Sequence, residues 1–201
     1  MATIQPQHIA IPREQTRFFL VMAVAMALVI IGGFTLQLAM GRSSFAVPAA
    51  YHLHAVVFMG WIGIYLAQHV TAARGQWRLH AGFGRIAYLW IALMLAFGSV
   101  LMVVVARRTG GPFFFHVSEF LWSNMMLLWC FGGLAFWALR RQRHTGWHRR
   151  LMLVSMAILT GPGLGRLLPM PLLIPNAWTI NIAITFVFPL IGMAADLRRE
   201  G

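Results

Sequence analysis

Six long apolar stretches constrain the fold of this chain more than any other feature. A helix needs about 20 apolar residues to cross the hydrocarbon core of a bilayer, and each stretch is close to that length. They run 18–40, 51–70, 86–106, 117–139, 151–168 and 177–195. The first is too long for the core of a signal peptide, so we expect it to be retained. The pattern predicts an all-α, polytopic transmembrane helix bundle of six spans, in a single domain covering residues 1–201.

The composition excludes the soluble alternatives. Of the 201 residues, 60% are apolar and 10% are charged, and the mean hydropathy is +0.74. A soluble domain has about 25% charged residues, so the polar side chains here are too few to cover a globule of this size. Cys130 is the single cysteine, which rules out an internal disulfide. A soluble enzyme, a disordered tail and a disulfide scaffold are all excluded.

The net charge of +12 comes from sixteen arginines and no lysine, and their distribution predicts the orientation. Four of them are on one side: Arg42 follows span one, Arg107 and Arg108 follow span three, and Arg166 lies near the end of span five. The other twelve lie on the opposite side: Arg13, Arg17, Arg74, Arg78, Arg85, Arg140, Arg141, Arg143, Arg149, Arg150, Arg198 and Arg199. Such an excess on short loops marks the cytoplasmic side and predicts that both termini are cytoplasmic. Anionic lipid headgroups then account for the charge, and we expect no nucleic-acid partner.

Two loops on the predicted cytoplasmic side have similar sequences. Residues 74–80 and 143–149 each contain Arg, Gly, Trp and His in that order, and each leads into the next span. The hairpins 51–106 and 117–168 are therefore candidates for an internal repeat, with spans one and six outside it. Short loops rich in Arg, Trp and His are also common at membrane interfaces, so duplication and coincidence both stay open.

The repeat places four histidines in two layers. His54 and His116 open spans two and four on the outer side, whereas His80 and His148 precede spans three and five on the inner side. A four-helix core with two layers of histidine is what a pair of b-type haems requires, because each iron takes two axial imidazoles. The alternative is that histidines near the interface bond to headgroups and water.

Span two carries a polar and aromatic stripe. His54, Trp61 and Gln68 are spaced seven apart and lie on one helical face, with Tyr65 beside them. The stripe predicts a cofactor slot, in which the aromatic rings pack a quinone and His or Gln binds its carbonyl. The plain alternative is hydrogen bonding and aromatic packing between helices.

Glu119 is the acidic residue within an apolar span, and a lone carboxylate at that depth needs a partner. Arg166, near the end of span five, has the same need on the same side. We therefore expect a structural ion pair between Glu119 and Arg166. A sharper alternative is a site for zinc, iron or copper, made by His52 or His54 with His116 and Glu119.

Span five contains the segment 161–163, with the sequence Gly-Pro-Gly. Proline removes a backbone donor and glycine permits unwinding, so the pattern predicts a kink or break in this helix. Broken helices are typical of transporters, which makes a small-solute transporter a third functional class. The residues provide no paired carboxylates, no nucleotide-binding glycine loop and no nucleophile with a base, so no enzymatic reaction is assigned.

The motif His54-x6-Trp61-x6-Gln68, followed by His80 and by the HRRLM segment 148–152, resembles a family of small, uncharacterised bacterial polytopic inner-membrane proteins. The likeness runs from about residue 50 to the end of the chain. It implies a bundle of six or seven spans in the bacterial inner membrane. Some members are similar in layout to two-haem b-type cytochromes and to assembly factors of terminal oxidases. Span four has no histidine at its cytoplasmic end, so the likeness favours an outer haem over an inner one.

Two main functional hypotheses follow. In the first, spans two to five bind a redox cofactor, haem b or quinone, through the histidines and the span-two stripe. In the second, the chain is a non-catalytic accessory subunit or assembly factor of a larger respiratory or photosynthetic complex. Its partners are then the lipid bilayer and other membrane subunits, and the histidines only anchor helices.

Overall fold

The structure is a computed structural model that describes residues 13–200, and these residues form helices and no strands. The elements are α1 (Arg13–Ala39), α2 (Ala49–Ala73), α3 (Trp77–Thr109), α4 (Val117–Arg140), α5 (Thr145–Leu167), a 3-10 turn (Met170–Leu173), α6 (Ala177–Thr185) and α7 (Val187–Glu200). The all-α prediction is therefore confirmed, and each predicted span coincides with one helix or a pair of helices.

Within residues 13–200, five helical segments are long and apolar enough to cross a membrane. They are Glu14–Ala39, Ala49–Ala73, Trp77–Thr109, Val117–Arg140 and the combined segment Ala177–Arg198. These segments match predicted spans one to four and six, and they indicate a membrane protein. The helix of predicted span five, α5, is as long as its neighbours but is less apolar.

The helices pack as a closed ring. Each helix from α2 to α5 packs on the next, α1 lies between α5 and α2, and α6 and α7 pack on the outside of α5. The starts of α1, α3 and α5 and the ends of α2, α4 and α7 share one end, which we call the arginine-rich end. Charged side chains join helices there, since Arg149 Nη2 donates to Gln15 Oε1 at 2.7 Å and Arg150 Nε donates to Asp196 Oδ2 at 2.6 Å.

The low apolarity of α5 is explained by its central position. This helix contacts α1, α4, α6 and α7, and it contributes small and polar residues to the interior. Ser155 and Thr160 are fully buried, and their hydroxyls donate to carbonyls of the same helix, those of Met152 at 2.9 Å and Ala157 at 2.6 Å. A helix that faces protein on several sides needs less apolar surface than one that faces lipid.

The predicted break at Gly161-Pro162-Gly163 does not occur, because α5 continues as an α-helix to Leu167. The glycines have a packing role instead. A Cβ atom on Gly163 would lie 2.7 Å from Ile30 Cα, and one on Gly33 would collide with the Gly163 carbonyl. The backbones of α1 and α5 are thus in direct contact, as small residues permit between membrane helices.

The predicted sixth span is divided into two helices. α6 ends at Thr185 and α7 begins at Val187. Pro189 explains the division, because a proline lacks the N–H that would bond to the carbonyl of Thr185 four residues earlier, and its ring crowds that carbonyl. The Thr185 hydroxyl, at the end of α6, donates to the Ile182 carbonyl at 2.7 Å. Regular bonding resumes where the Leu190 N–H donates to the Phe186 carbonyl at 2.9 Å.

Candidate functional site: a histidine pair at the arginine-rich end

The structure brings His80 and His148 together at the arginine-rich end. Their ring centroids are 6.5 Å apart and their ring planes are inclined by 78°. Each is the fourth residue of its helix, His80 in α3 and His148 in α5. The two histidines therefore occupy equivalent positions in the two hairpins that the sequence compares.

Both imidazoles make the same kind of hydrogen bond. His80 Nδ1 lies 3.1 Å from the Gln68 carbonyl in the last turns of α2, and His148 Nδ1 lies 2.8 Å from the Ala138 carbonyl at the end of α4. A carbonyl only accepts, so each Nδ1 carries the proton, and in a neutral ring Nε2 is then left with its lone pair. Each histidine ties its helix to the preceding one and keeps a nitrogen available as a ligand.

A third histidine, His69 in α2, lies within electrostatic range of both His80 and His148. Its Nδ1 donates to the Tyr65 carbonyl at 2.9 Å, and its ring centroid is 4.4 Å from that of Tyr65. The sequence analysis missed His69 because it lies outside the seven-residue stripe. Its position at the end of α2, at the same depth as the loop histidines, was the available signal. Within residues 13–200, no three or more His, Cys, Asp or Glu side chains are arranged to hold a metal ion.

His148 precedes the apolar stretch 151–168, and its surroundings favour the neutral imidazole. Burial lowers the pKa of His148 below its ordinary value, the hydrogen bond to the Ala138 carbonyl opposes this, and the neighbouring His80 and Arg149 lower it further. A neutral imidazole is the form that ligates a metal, so this histidine needs no deprotonation at neutral pH.

The histidines predicted for the outer layer do not meet. His54 is half-buried in α2 and stacks on Phe58, with 3.9 Å between ring centroids, and its Nδ1 is buried without a hydrogen-bond partner. His116 is exposed at the start of α4. In the described part of the chain no ring contact or hydrogen bond joins the two. The structure thus assembles the inner pair of histidines and leaves the outer pair apart.

Glu119 and Arg166 form no ion pair with each other in residues 13–200. Glu119 is exposed, whereas the Arg166 guanidinium lies over the Phe34 ring at 4.0 Å from its centroid and donates from Nη1 to the Pro162 carbonyl at 2.8 Å. Gln37 Nε2 donates to the Arg166 carbonyl at 2.8 Å. An aromatic face and a carbonyl therefore stabilise this cation in place of the expected carboxylate.

The aromatic stripe of α2 faces the interior, but it fills the space there. Trp61 and Tyr65 are each 1% exposed. The Trp61 ring packs edge-on against Phe131 at 5.4 Å between centroids, and the Tyr65 hydroxyl donates to the Met152 carbonyl at 3.4 Å. Gln68 is half-buried, and its Oε1 is buried without a partner. The residues expected to wall a quinone slot are themselves packed into the core.

Comparisons of the chain with protein-family models, with curated proteins and with solved structures find no match. The arrangement of the residues is therefore what supports a function for this chain. Of the sites that the sequence analysis considered, the pair His80 and His148 is the one that separate hairpins bring together.

Proposed function

We propose that this chain is an integral protein of the bacterial inner membrane, with six spans and both termini in the cytoplasm. Five apolar helical segments support the membrane location, and α5 would cross as the sixth, sheltered by its neighbours. The orientation is supported by the positive-inside rule, because the loops and termini that hold twelve of the sixteen arginines meet at one end.

We further propose that His80 and His148 would hold a b-type haem at the cytoplasmic end. The observation that carries this proposal is the 6.5 Å separation of two imidazoles from two hairpins, each with Nδ1 bonded to a carbonyl. A separation of this size would let both imidazoles hold one metal ion between them, given metal–nitrogen bonds of roughly 2 Å. Ligating histidines nearly always donate their other N–H to a carbonyl or carboxylate.

Haem is favoured over quinone because Trp61 and Tyr65 fill the interior that a quinone ring would occupy. A haem with two imidazole ligands supplies a one-electron redox centre, alternating between ferric and ferrous iron. The chain itself contributes the orientation of the two rings. The carbonyls of Gln68 and Ala138 hold the proton on Nδ1 and direct the lone pair of each ring to Nε2.

The test is a visible spectrum of protein purified in detergent after expression with haem supplied. Wild-type protein should show a Soret band. His80→Asn and His148→Asn place an amide nitrogen where the imidazole has Nδ1, so they preserve the bond to the carbonyl and remove Nε2. We expect either variant to bind haem at least about tenfold more weakly, because losing even a hydrogen-bond partner of a ligand lowers metal affinity about tenfold. Far-UV circular dichroism should stay unchanged.

The matched control is His144→Asn, which changes an exposed histidine of the same loop. It should retain the full Soret band. Haem retained in both His80→Asn and His148→Asn would contradict the site. Absence of a Soret band in wild-type protein would overturn the haem proposal in favour of an accessory subunit, in which these imidazoles only tie each helix to its predecessor.

A further inference from the structure

A groove lies between the end of α4 and the start of α5 at the arginine-rich end. It has a volume of about 190 Å³ and is lined by Trp137, Arg141, Trp147 and Leu151. The two indole rings stand nearly parallel, with 6.5 Å between centroids and 27° between planes. Both are exposed, Trp137 by 46% and Trp147 by 61%. The groove therefore combines two open aromatic faces with one cation.

Three neighbouring arginines differ from Arg141 in that they have partners. The Arg140 guanidinium lies over the Phe136 ring at 5.7 Å, Arg149 donates to a glutamine, and Arg150 pairs with an aspartate. Arg141 is exposed, and among the side chains described for residues 14–198 it has no hydrogen-bond, ion-pair or ring partner. The groove is thus lined by a guanidinium that is available to an external anion.

We propose that this groove binds an anionic phospholipid of the adjoining leaflet, with its phosphate on Arg141 and its glycerol and first acyl carbons against Trp137 and Trp147. Arginine forms two parallel hydrogen bonds to phosphate, and tryptophan favours the membrane interface at headgroup level. A lipid suits both halves of the groove, whereas free phosphate would use only the cation. The surrounding arginines favour a headgroup with net negative charge over a zwitterionic one.

This inference rests on the membrane location in the proposed function and does not depend on haem. The test is native mass spectrometry of detergent-purified protein titrated with phosphatidylglycerol or phosphatidylcholine. One interfacial arginine contributes about 1 kcal/mol to anionic lipid binding, which is a factor of about five. We therefore expect Arg141→Gln to weaken phosphatidylglycerol binding about fivefold and to leave phosphatidylcholine binding unchanged.

The matched control is Arg143→Gln, which removes the same charge from the same loop but does not line the groove. It should retain phosphatidylglycerol binding. Equal losses in the two variants would show diffuse surface attraction and overturn the proposal, as would equal binding of the two lipids or competition by inorganic phosphate alone. A failure of the membrane proposal is distinguishable, because wild-type protein would then fail to co-float with vesicles.

Discussion

At the arginine-rich end of the bundle, side chains from separate helices bond to one another or to carbonyls of the preceding helix. His80 and His148 reach back to α2 and α4, and Arg150 pairs with Asp196 of α7. Towards the opposite end, α1 and α5 meet backbone to backbone at Gly33 and Gly163. The arginine-rich end is therefore joined by polar side chains, whereas the crossing of Gly33 and Gly163 is held mainly by shape, with one hydrogen bond from Gln37 to the Arg166 carbonyl between the same two helices.

The two kinds of contact differ in whether they leave a polar atom free to bind a ligand. A contact between backbones admits no larger side chain and offers no free polar atom, so it holds the helices at one distance. A hydrogen bond from a histidine holds its helix and still leaves a second nitrogen. The end that is joined by side chains is accordingly where a ligand can be added without breaking the fold.

The largest effect is expected from Gly163→Val in the close crossing of α1 and α5. The new side chain would meet the backbone of Ile30, which cannot move aside without separating the helices. We expect a loss of about 3 kcal/mol in the free energy of unfolding, the upper part of the range for overpacking. Thermal or denaturant unfolding in detergent, followed by circular dichroism, measures it.

The control for this variant is Gly133→Val in α4, where an added Cβ has nothing within 4 Å. It should change the free energy of unfolding only by the helix-propensity difference between the two residues, a gain of less than about 1 kcal/mol because glycine is the poorer helix former. If both variants lose the same stability, the crossing is not a tight contact and the contrast between the two ends fails.

A smaller effect on the free energy of unfolding is expected from acidification, and it should arise at the arginine-rich end. Because burial lowers the pKa of His148 in the folded protein, the unfolded chain takes up the proton first. Stability is then complete above the ordinary imidazole pKa of about 6.5 and falls as the pH decreases below it. His148→Asn should reduce this slope by up to about 1.4 kcal/mol per pH unit, the maximum for one proton.

The measurement is the free energy of unfolding between pH 5 and 8 for wild type and His148→Asn, both without haem. His116→Asn serves as the comparison, because His116 is exposed at the opposite end. An equal change of slope in both variants would show that the effect is not specific to His148. A slope unchanged in His148→Asn would show that this imidazole is not held neutral by the fold.

The smallest effect is expected from Glu119→Gln at the opposite end. The carboxylate is exposed and forms no pair with Arg166 in the described residues, so the change should stay within about 0.5 kcal/mol, as for other surface substitutions. Arg166→Gln removes a cation from the Phe34 ring and should cost about 1 kcal/mol. The two losses in the free energy of unfolding should add in the double variant. A coupling energy well above 0.5 kcal/mol would show that Glu119 and Arg166 interact after all.

The helices themselves were predictable because the thickness of a bilayer sets their length. Predicted spans such as 117–139 and 151–168 agree closely with α4 and α5. The division at Phe186 was missed, although Pro189 in the sequence provides its cause. The continuity of α5 through Pro162 was missed for the converse reason, because close packing on α1 supports a helix that local propensity would interrupt.

The candidate site was predictable in part. The loop repeat identified His80 and His148, but the resemblance favoured the outer pair, His54 and His116. A sequence shows which helix carries a histidine, whereas the rotation of that helix about its axis decides what the ring meets. The partner of Arg166 was missed on similar grounds, since the Phe34 ring can take the place of a carboxylate only when α1 lies beside α5.

The central position of α5 also bears on how the chain enters the membrane during synthesis. A segment that leaves the translocon alone must be apolar enough to partition into lipid. α5 buries Ser155, Thr160 and several glycines, and it falls short of the apolarity of the other long helices. We expect it to insert only against helices made before it, α1 and α4 above all, so that the bundle assembles around its least lipid-soluble member.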